Sequence, residues 1–183
     1  MLLIHDPRCA DYGSSLRPEQ PARVLTTVAH LRAARPQWVW QEPTAAKEAD
    51  LLRAHTPAHL KRLGHRPDFD NDTPFFDGIR EHAVRAAGAA LLAAECALRG
   101  QPAFSLMRPP GHHATSDQAM GFCYLNSIAI AALGARARGV GRIAVWDFDA
   151  HHGNGTEEIL QGKSDFIFVS VHQSPGYPGT GTS

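Results

Sequence analysis

The sequence lacks several features that would assign it to a class at once. Its 183 residues carry 18 basic and 18 acidic side chains, so the net charge is zero and no footprint for nucleic acid is expected. No run approaches the roughly 20 apolar residues that a membrane span needs. The opening MLLIHD has neither the basic start nor the apolar length of a signal peptide. These absences predict a cytoplasmic protein with no direct contact to nucleic acid or membrane.

Cysteine is also scarce. Cys9, Cys96 and Cys123 are odd in number and far apart, which fits neither a disulfide framework nor a CxxC motif. We expect each to be a small buried apolar residue. Histidine, in contrast, occurs 11 times, and four of these histidines form adjacent pairs at 112–113 and 151–152.

Short apolar runs alternate with helical patterns along the chain. Strands are predicted at 2–5, 38–40, 102–107, 142–149 and 166–171. Helices are predicted at about 21–34, 46–53, from 57 onward, and at 76–99, 126–138 and 156–160. The alternation predicts one α/β domain over residues 1–183 with a doubly wound, mainly parallel sheet. Ligands of such sheets bind at the carboxyl ends of the strands.

The strand predicted at 142–149 runs into the sequence DFDAH. A period of two would place Asp147, Asp149 and His151 on one side of it. Carboxylates and neutral imidazoles both bind zinc, whose catalytic sites take three protein ligands and a water. The next segment, HGNGT, has two glycines that permit a tight turn against an ion or ligand. The run is a candidate metal site, and an acidic strand end that caps the next helix is the alternative.

His112 and His113 follow another predicted strand end. Two prolines and a glycine precede them and restrict where the imidazoles point. An imidazole with a pKa near 6.5 can take up and return a proton around neutral pH. The pair is therefore a candidate for acid–base chemistry, and two solvated surface histidines are the alternative.

Several blocks together resemble the signature of the histone deacetylase superfamily, in the family's order and spacing. The three main blocks are residues 108–114 (RPPGHHA), 121–132 (GFCYLNSIAIAA) and 147–156 (DFDAHHGNGT). Residues 170–181 resemble the block that follows, and residues 17–23 resemble the N-terminal block, where Arg17 replaces the usual histidine. The resemblance covers nearly the whole chain and points to class II and bacterial deacetylases and acetylpolyamine amidohydrolases.

This resemblance implies an arginase/deacetylase-type fold and zinc-dependent hydrolysis of an acyl amide. The substrate would be acetyl-lysine or an acetylated polyamine. By resemblance Asp149 and His151 are zinc ligands, and zinc polarises the carbonyl and acidifies its water. An arginase-like ureohydrolase with two manganese ions is a related alternative, and the adjacent histidines argue against it.

The family also implies roles for the residues around the metal. His113 would be the general base that activates the water and then protonates the leaving amine. His112, paired with the Asp147 carboxylate, would adjust the charge beside it. Asn154 would orient His113, and an amide at that position leaves the imidazole less basic than a carboxylate would.

Substrate-binding residues follow from the same resemblance. Gly121 and Phe122 would line a narrow tunnel for the acyl chain, although Phe122 could instead be a core residue. Asp72 would hold the substrate backbone at the tunnel rim, and a polar loop cap is the alternative.

A structural potassium ion close to the zinc is a further implication of the family. Its ligands would be oxygens of Asp147, Asp149, His151, Ser170 and Val171.

The third zinc ligand of the family is an aspartate expected beyond Ser183, together with a glycine-rich stretch and a carbonyl-polarising tyrosine. Asp117 and Asp165 do not stand where the family pattern would put a substitute. The family sheet also places late strands between early ones. We therefore expect the chain to be the N-terminal portion of a deacetylase domain with a truncated sheet. The alternative function is a catalytically incomplete fragment that acts as a binding or assembly module.

Overall fold

The computed structural model describes residues 1–182, which form a parallel α/β arrangement. The strands are β1 (Leu2–Ile4), β2 (Val39–Gln41), β3 (Ala103–Ser105), β4 (Ile143–Asp147) and β5 (Phe166–Ser170). The helices are α1 (Ala22–Ala34), α2 (Glu48–Leu51), α3 (Pro57–Arg62), α4 (Ile79–Leu98), α5 (Ser127–Ala137) and α6 (Asn154–Leu160). Every pair of these strands is parallel, so the predicted fold class is confirmed.

The strands form two sheets that are not hydrogen-bonded to each other within residues 1–182. In the first sheet β1 lies between β2 and β3, and in the second β4 pairs with β5. Asp147 at the end of β4 lies opposite Ser170 at the end of β5. A cavity of about 400 Å³ separates the sheets, and Ser105 of β3 and Val145 of β4 both line it. The carboxyl ends of β3 and β4 therefore lead into the same region of the molecule.

At two helix starts that differ from the prediction, a glycine marks the difference. Helix α4 begins at Ile79 rather than near 76, because Gly78 has a φ of 78°, which a right-handed helix does not accommodate. Helix α6 begins at Asn154 rather than 156, directly after Gly153. The earlier start of α6 brings Asn154 into its first turn.

Strand β4 ends at Asp147, two residues earlier than predicted. The Asp149 N–H donates to Oδ1 of Asp147 at 3.1 Å, and the His151 N–H donates to Oδ1 of Asp149 at 2.9 Å. These side-chain to backbone bonds bend the chain away from the strand direction. Strand periodicity therefore does not extend to Asp149 and His151, and the bends after the strand determine where these two side chains point.

The main core lies around α4 and α5. Gly134 of α5 makes room for α4, since a Cβ at this position would lie 2.7 Å from Cδ2 of Leu91. A second buried cluster joins α4 to β1 through Leu2, Ile4, Ala89 and Cys96. All three cysteines are buried and free, as predicted. Among residues 1–182 no helix is long and apolar enough to cross a membrane.

A buried histidine connects the start of α3 with the start of α5. His55 is only 3 % exposed, and its Nε2 accepts the Asn126 N–H at 2.9 Å. Burial, with a smaller contribution from the nearby His59, lowers the pKa of His55 from 6.5 to about 4. His55 is thus neutral in the folded protein at neutral pH, and its unprotonated Nε2 serves as the acceptor.

We predict that acid destabilises the wild-type chain more than the His55→Gln variant. Because the unfolded histidine has a pKa near 6.5 and the folded one about 4, the unfolded state binds more protons below pH 6.5. The stabilisation is complete above that pH, and about 3 kcal/mol of it is lost as the pH falls toward 4. Glutamine can still accept the Asn126 N–H but does not titrate.

Urea unfolding of both proteins between about pH 7 and 4.5 measures this effect. The pKa values of His59 and His113 shift in the same direction, and their contributions cancel in the comparison. The difference in free energy of unfolding between the two proteins should narrow or reverse toward low pH. A difference that does not change with pH would contradict the prediction.

Candidate active site

The segment that carries the paired histidines begins at a buried ion pair. Arg108 is 2 % exposed, and its Nη2 donates to Oε2 of Glu19 at 2.7 Å. Its Nη1 also donates to the Cys9 carbonyl at 2.8 Å, and its guanidinium lies 4.2 Å from the centre of the Tyr12 ring. These contacts attach the start of the segment to the N-terminal part of the chain.

Each of the two histidines is held by one side chain, which belongs to the last residue of β4 for His112 and to the first residue of α6 for His113. Nδ1 of His112 lies 2.9 Å from Oδ2 of Asp147, and Nδ1 of His113 lies 2.8 Å from Oδ1 of Asn154. The two imidazole rings are 4.0 Å apart at an angle of 38°. Sequence reasoning predicts both pairings, and the structure contains both contacts.

Asp149 and His151 lie beside this pair and are both about half exposed. Oδ1 of Asp149 is 3.3 Å from Nδ1 of His151 and 4.0 Å from Nε2 of His112. Two ligands that are each about 2.0–2.1 Å from one tetrahedral zinc ion lie roughly 3.3 Å apart. The separation of Asp149 and His151 therefore matches that of two ligands of a single zinc ion. Within residues 1–182, no group of three or more His, Cys, Asp or Glu side chains is placed to hold a metal ion.

Burial and neighbouring charges determine the protonation of the site. Burial first, and then the nearby His112, lower the pKa of His113 from 6.5 to about 4, although the Asn154 contact acts in the opposite direction. Burial alone would raise the pKa of Asp147, but the hydrogen bond from His112 and the Asp149 N–H bring it below its usual value. At neutral pH the site therefore holds a neutral His113 and an ionised Asp147.

A cavity of about 490 Å³ opens at these side chains and contains all three predicted substrate-binding residues. Its lining comprises Pro18, Glu19, Arg23, Asp72, Pro110, His112, His113, Gly121, Phe122, Asp149, Ala150, His151 and Tyr177. Phe122 lies on the cavity wall with a φ of 66°, and its N–H donates to Oγ1 of the buried Thr73 at 3.0 Å. Asp72, next to Thr73, lies on the exposed side of the cavity.

Tyr177 is a cavity residue that sequence reasoning missed. Its ring stands edge-on to His113, with centres 4.9 Å apart at 85°, and its centre is 6.1 Å from that of His151. Burial, with smaller contributions from Asp70 and Asp72, raises its pKa to about 12, so the hydroxyl stays protonated. The available signal was its position within the 170–181 block, between two Pro-Gly motifs.

The residues predicted to bind potassium lie at the neighbouring ends of β4 and β5. Asp147 and Ser170 are paired in the sheet, and the Val171 N–H donates to the Asp147 carbonyl at 3.0 Å. Oγ of Ser170 lies 2.8 Å from Nδ1 of His172. The structure thus brings the Ser170 and Val171 backbone next to Asp147, and potassium binding stays a prediction.

The fold and site define the class of this protein: a parallel α/β protein with two adjacent histidines beside an aspartate–histidine pair. The family profile described as "Histone deacetylase domain" matches residues 17–183. The structure aligns with the crystal structure of the HDA15 HD domain with a TM-score of 0.93 and 31% sequence identity, over 99% of this chain and 58% of the other.

Two relatives agree with that profile. A probable deacetylase of Archaeoglobus fulgidus is 38% identical over 98% of this chain and 53% of its own length. Acetylpolyamine amidohydrolase 2 of Pseudomonas aeruginosa is 42% identical over 69% of this chain and 37% of its own length. The chain belongs to the histone deacetylase family, and it spans about half the length of the first of these relatives.

We predict that Gly121→Ala destabilises the protein by about 1–3 kcal/mol, which is typical of a side chain forced into a strained backbone position. Gly121 has a φ of 55°, and a Cβ there would lie 2.6 Å from Cδ2 of His113 and 2.9 Å from Cε1 of Tyr177. The free energy of unfolding in urea measures the loss. Gly141→Ala is the matched control, because its Cβ would meet nothing within 4 Å. Equal effects of the two substitutions would contradict the prediction.

Proposed function

We propose that this chain contributes to a zinc-dependent amidohydrolase that removes the acetyl group from acetyl-lysine or an acetylated polyamine. Membership of the histone deacetylase family supports hydrolytic deacetylation. The observation that carries the proposal is the neutral His113, held by Asn154 within the cavity that Asp149 and His151 also line.

Asp149 and His151 would hold the zinc ion. Their 3.3 Å separation, their exposure toward the cavity and their carboxylate–imidazole chemistry support this assignment. When bound, zinc would polarise the amide carbonyl and lower the pKa of a water toward about 7. Oxygens of Asp147, Asp149, His151, Ser170 and Val171 would bind potassium, and their positions at adjacent strand ends support this part of the proposal.

His113 handles the proton in this mechanism. Because Oδ1 of Asn154 can only accept, the His113 Nδ1 carries the hydrogen and Nε2 is left with a free lone pair. A pKa of about 4 keeps the imidazole neutral at physiological pH, ready to accept a proton at Nε2. The proton taken from the attacking water would then pass from His113 to the leaving amine.

His112 and Asp147 control the charge next to that proton. The carboxylate stays ionised and accepts the Nδ1–H of His112 at 2.9 Å, so it fixes the orientation of the ring and stabilises positive charge on it. Since the rings of His112 and His113 are only 4.0 Å apart, charge on one disfavours charge on the other. At most one of the two rings would therefore carry a positive charge at any stage of the reaction.

The lining of the cavity supports the proposal that the substrate is a slender, acylated amine. Phe122 and Tyr177 provide aromatic surfaces, and Gly121 leaves space between His113 and Tyr177. Asp72 would accept a substrate N–H or pair with a cationic amine at the rim. A lysine side chain and a polyamine both supply a methylene chain that ends in an acylated nitrogen, which is the shared feature this cavity would bind.

A binding or assembly module is the second candidate function. Residues 1–182 bring together Asp149 and His151 but no third metal-ligating side chain, and this observation favours it.

We predict that the 183-residue chain binds zinc through Asp149 and His151 and that turnover depends on His113. The double variant Asp149→Asn, His151→Ala should lose zinc because both proposed ligands are removed. His113→Ala should keep zinc but lower kcat about 10²–10⁴-fold, since it removes the proton acceptor. Isothermal titration with zinc and turnover of acetyl-lysine and acetylated putrescine measure the two effects.

The two readouts separate the candidate functions. Zinc binding that survives the double variant would contradict the ligand assignment. Zinc binding without turnover of either substrate would favour the binding or assembly module. Preference for one substrate would assign the substrate class. An Asp72→Asn variant should weaken the binding of the cationic acetylated polyamine more than the binding of a neutral acetyl-lysine peptide.

A further inference from the structure

His112 and His113 form the two central residues of a tight turn. The Ala114 N–H donates to the Gly111 carbonyl at 3.1 Å and closes the turn. The orientation of both imidazoles therefore depends on how this backbone turn is held. The side chains of the turn do not hold its backbone, because those of His112 and His113 point to Asp147 and Asn154.

The turn is held between the first residues of α5 and α6. The Thr156 N–H of α6 donates to the His112 carbonyl at 3.1 Å. Nδ2 of Asn126, the residue before α5, donates to the Ala114 carbonyl at 3.0 Å. The carbonyl oxygens of the first histidine and of the residue after the second are thus each bound by a different helix start.

Asn126 joins these two helix starts through a single carboxamide. Its Oδ1 accepts the Ala129 N–H at 3.0 Å and caps α5, and its Nδ2 also donates to Oγ1 of Thr156 at 3.1 Å. Its backbone N–H donates to Nε2 of His55. Asn126 and Thr156 are both fully buried. Because both side chains are closed to solvent, loss of the amide donors would leave a buried carbonyl and a buried hydroxyl without these hydrogen bonds.

Close backbone packing makes this arrangement sensitive to small shifts. A Cβ at Gly111 would lie 2.8 Å from the Leu125 carbonyl oxygen and 2.8 Å from the Ser127 nitrogen. A Cβ at Gly155 would overlap the Ala114 carbonyl. The turn therefore packs directly on the backbone of both helix starts, and a displacement of either helix start would move it.

We propose that Asn126 is a positioning residue for His113. Asn154, whose side chain binds His113 at 2.8 Å, and Thr156, which Asn126 binds, lie in the same first turn of α6. By binding both Ala114 and Thr156, Asn126 fixes the distance between His113 and the residue that sets its tautomer. The effect on turnover rests on the proposed function, whereas the effect on His113 geometry does not.

The test compares the full 183-residue chain with its Asn126→Ser variant. Serine is as good a helix N-cap as asparagine, so α5 keeps its cap while both amide donors are lost. Amide hydrogen exchange at Ala114 and Thr156 should become at least about 10-fold faster, because their hydrogen bonds close the turn and bind it to α6. The ¹⁵N shifts of the His113 imidazole should show a smaller fraction of the Nδ1–H tautomer.

Two further variants separate positioning from general stability. Thr56→Ala removes the comparable N-cap of α3, where Oγ1 accepts the His59 N–H at 3.2 Å, without touching the turn. It should leave the local exchange and the tautomer unchanged. Thr156→Val removes the hydroxyl that accepts the Asn126 amide and that also lies 3.5 Å from the His112 carbonyl. It should shift both readouts in the direction of Asn126→Ser by a smaller amount. It also decides the question if Asn126→Ser does not fold.

The outcomes that test the positioning role of Asn126 can be told apart from those that test the proposed deacetylase function. Unchanged exchange at Ala114 and Thr156, or equal acceleration of every core amide, would overturn the proposal. If the wild-type chain deacetylates its substrate, Asn126→Ser should lower kcat about 10–100-fold while KM stays within about 2-fold, as expected when a reacting group is misplaced. If no form of the chain turns over substrate, the proposed function fails, while exchange and tautomer still decide the positioning role.

Discussion

The hydrogen bonds that hold the His112–His113 turn are the constraint on which the rest of the site depends. The two imidazoles stand on a turn whose carbonyls are bound by Asn126, the residue before α5, and by Thr156 in the first turn of α6. Each imidazole is then oriented by an acceptor, Asp147 at the end of β4 for His112 and Asn154 at the start of α6 for His113. The site is therefore assembled from residues far apart in the sequence. Its geometry depends on how the starts of α5 and α6 pack against the turn.

Burial of the same turn determines the protonation of His113. A histidine enclosed in this way is disfavoured as a cation, and the amide of Asn154 does not supply the negative charge that would reverse the effect. The carboxylate is instead placed against the neighbouring His112. Two adjacent residues of one type thus receive different partners, so that one ring is held neutral against an amide and the other lies against a carboxylate.

The order of elements and most of the site residues could be predicted from the sequence because their signals are local. Apolar runs and helical periodicity predict the strands and helices, and the histidine and aspartate blocks carry the family resemblance. The boundaries could not be predicted equally well. Strand β4 ends at Asp147 because carboxylate oxygens capture the next backbone N–H groups, and α4 starts late because of the conformation of Gly78.

By itself, the sequence determined the α/β class, the family resemblance and the identity of the side chains that can exchange protons or bind a metal. These properties follow from residue type and spacing, which are present in the chain before it folds. Only the tertiary structure decided that Tyr177 stands edge-on to His113 and that Asn126 bridges α5 and α6 at the turn. Both depend on contacts between segments distant in the chain, for which residue spacing carries no information.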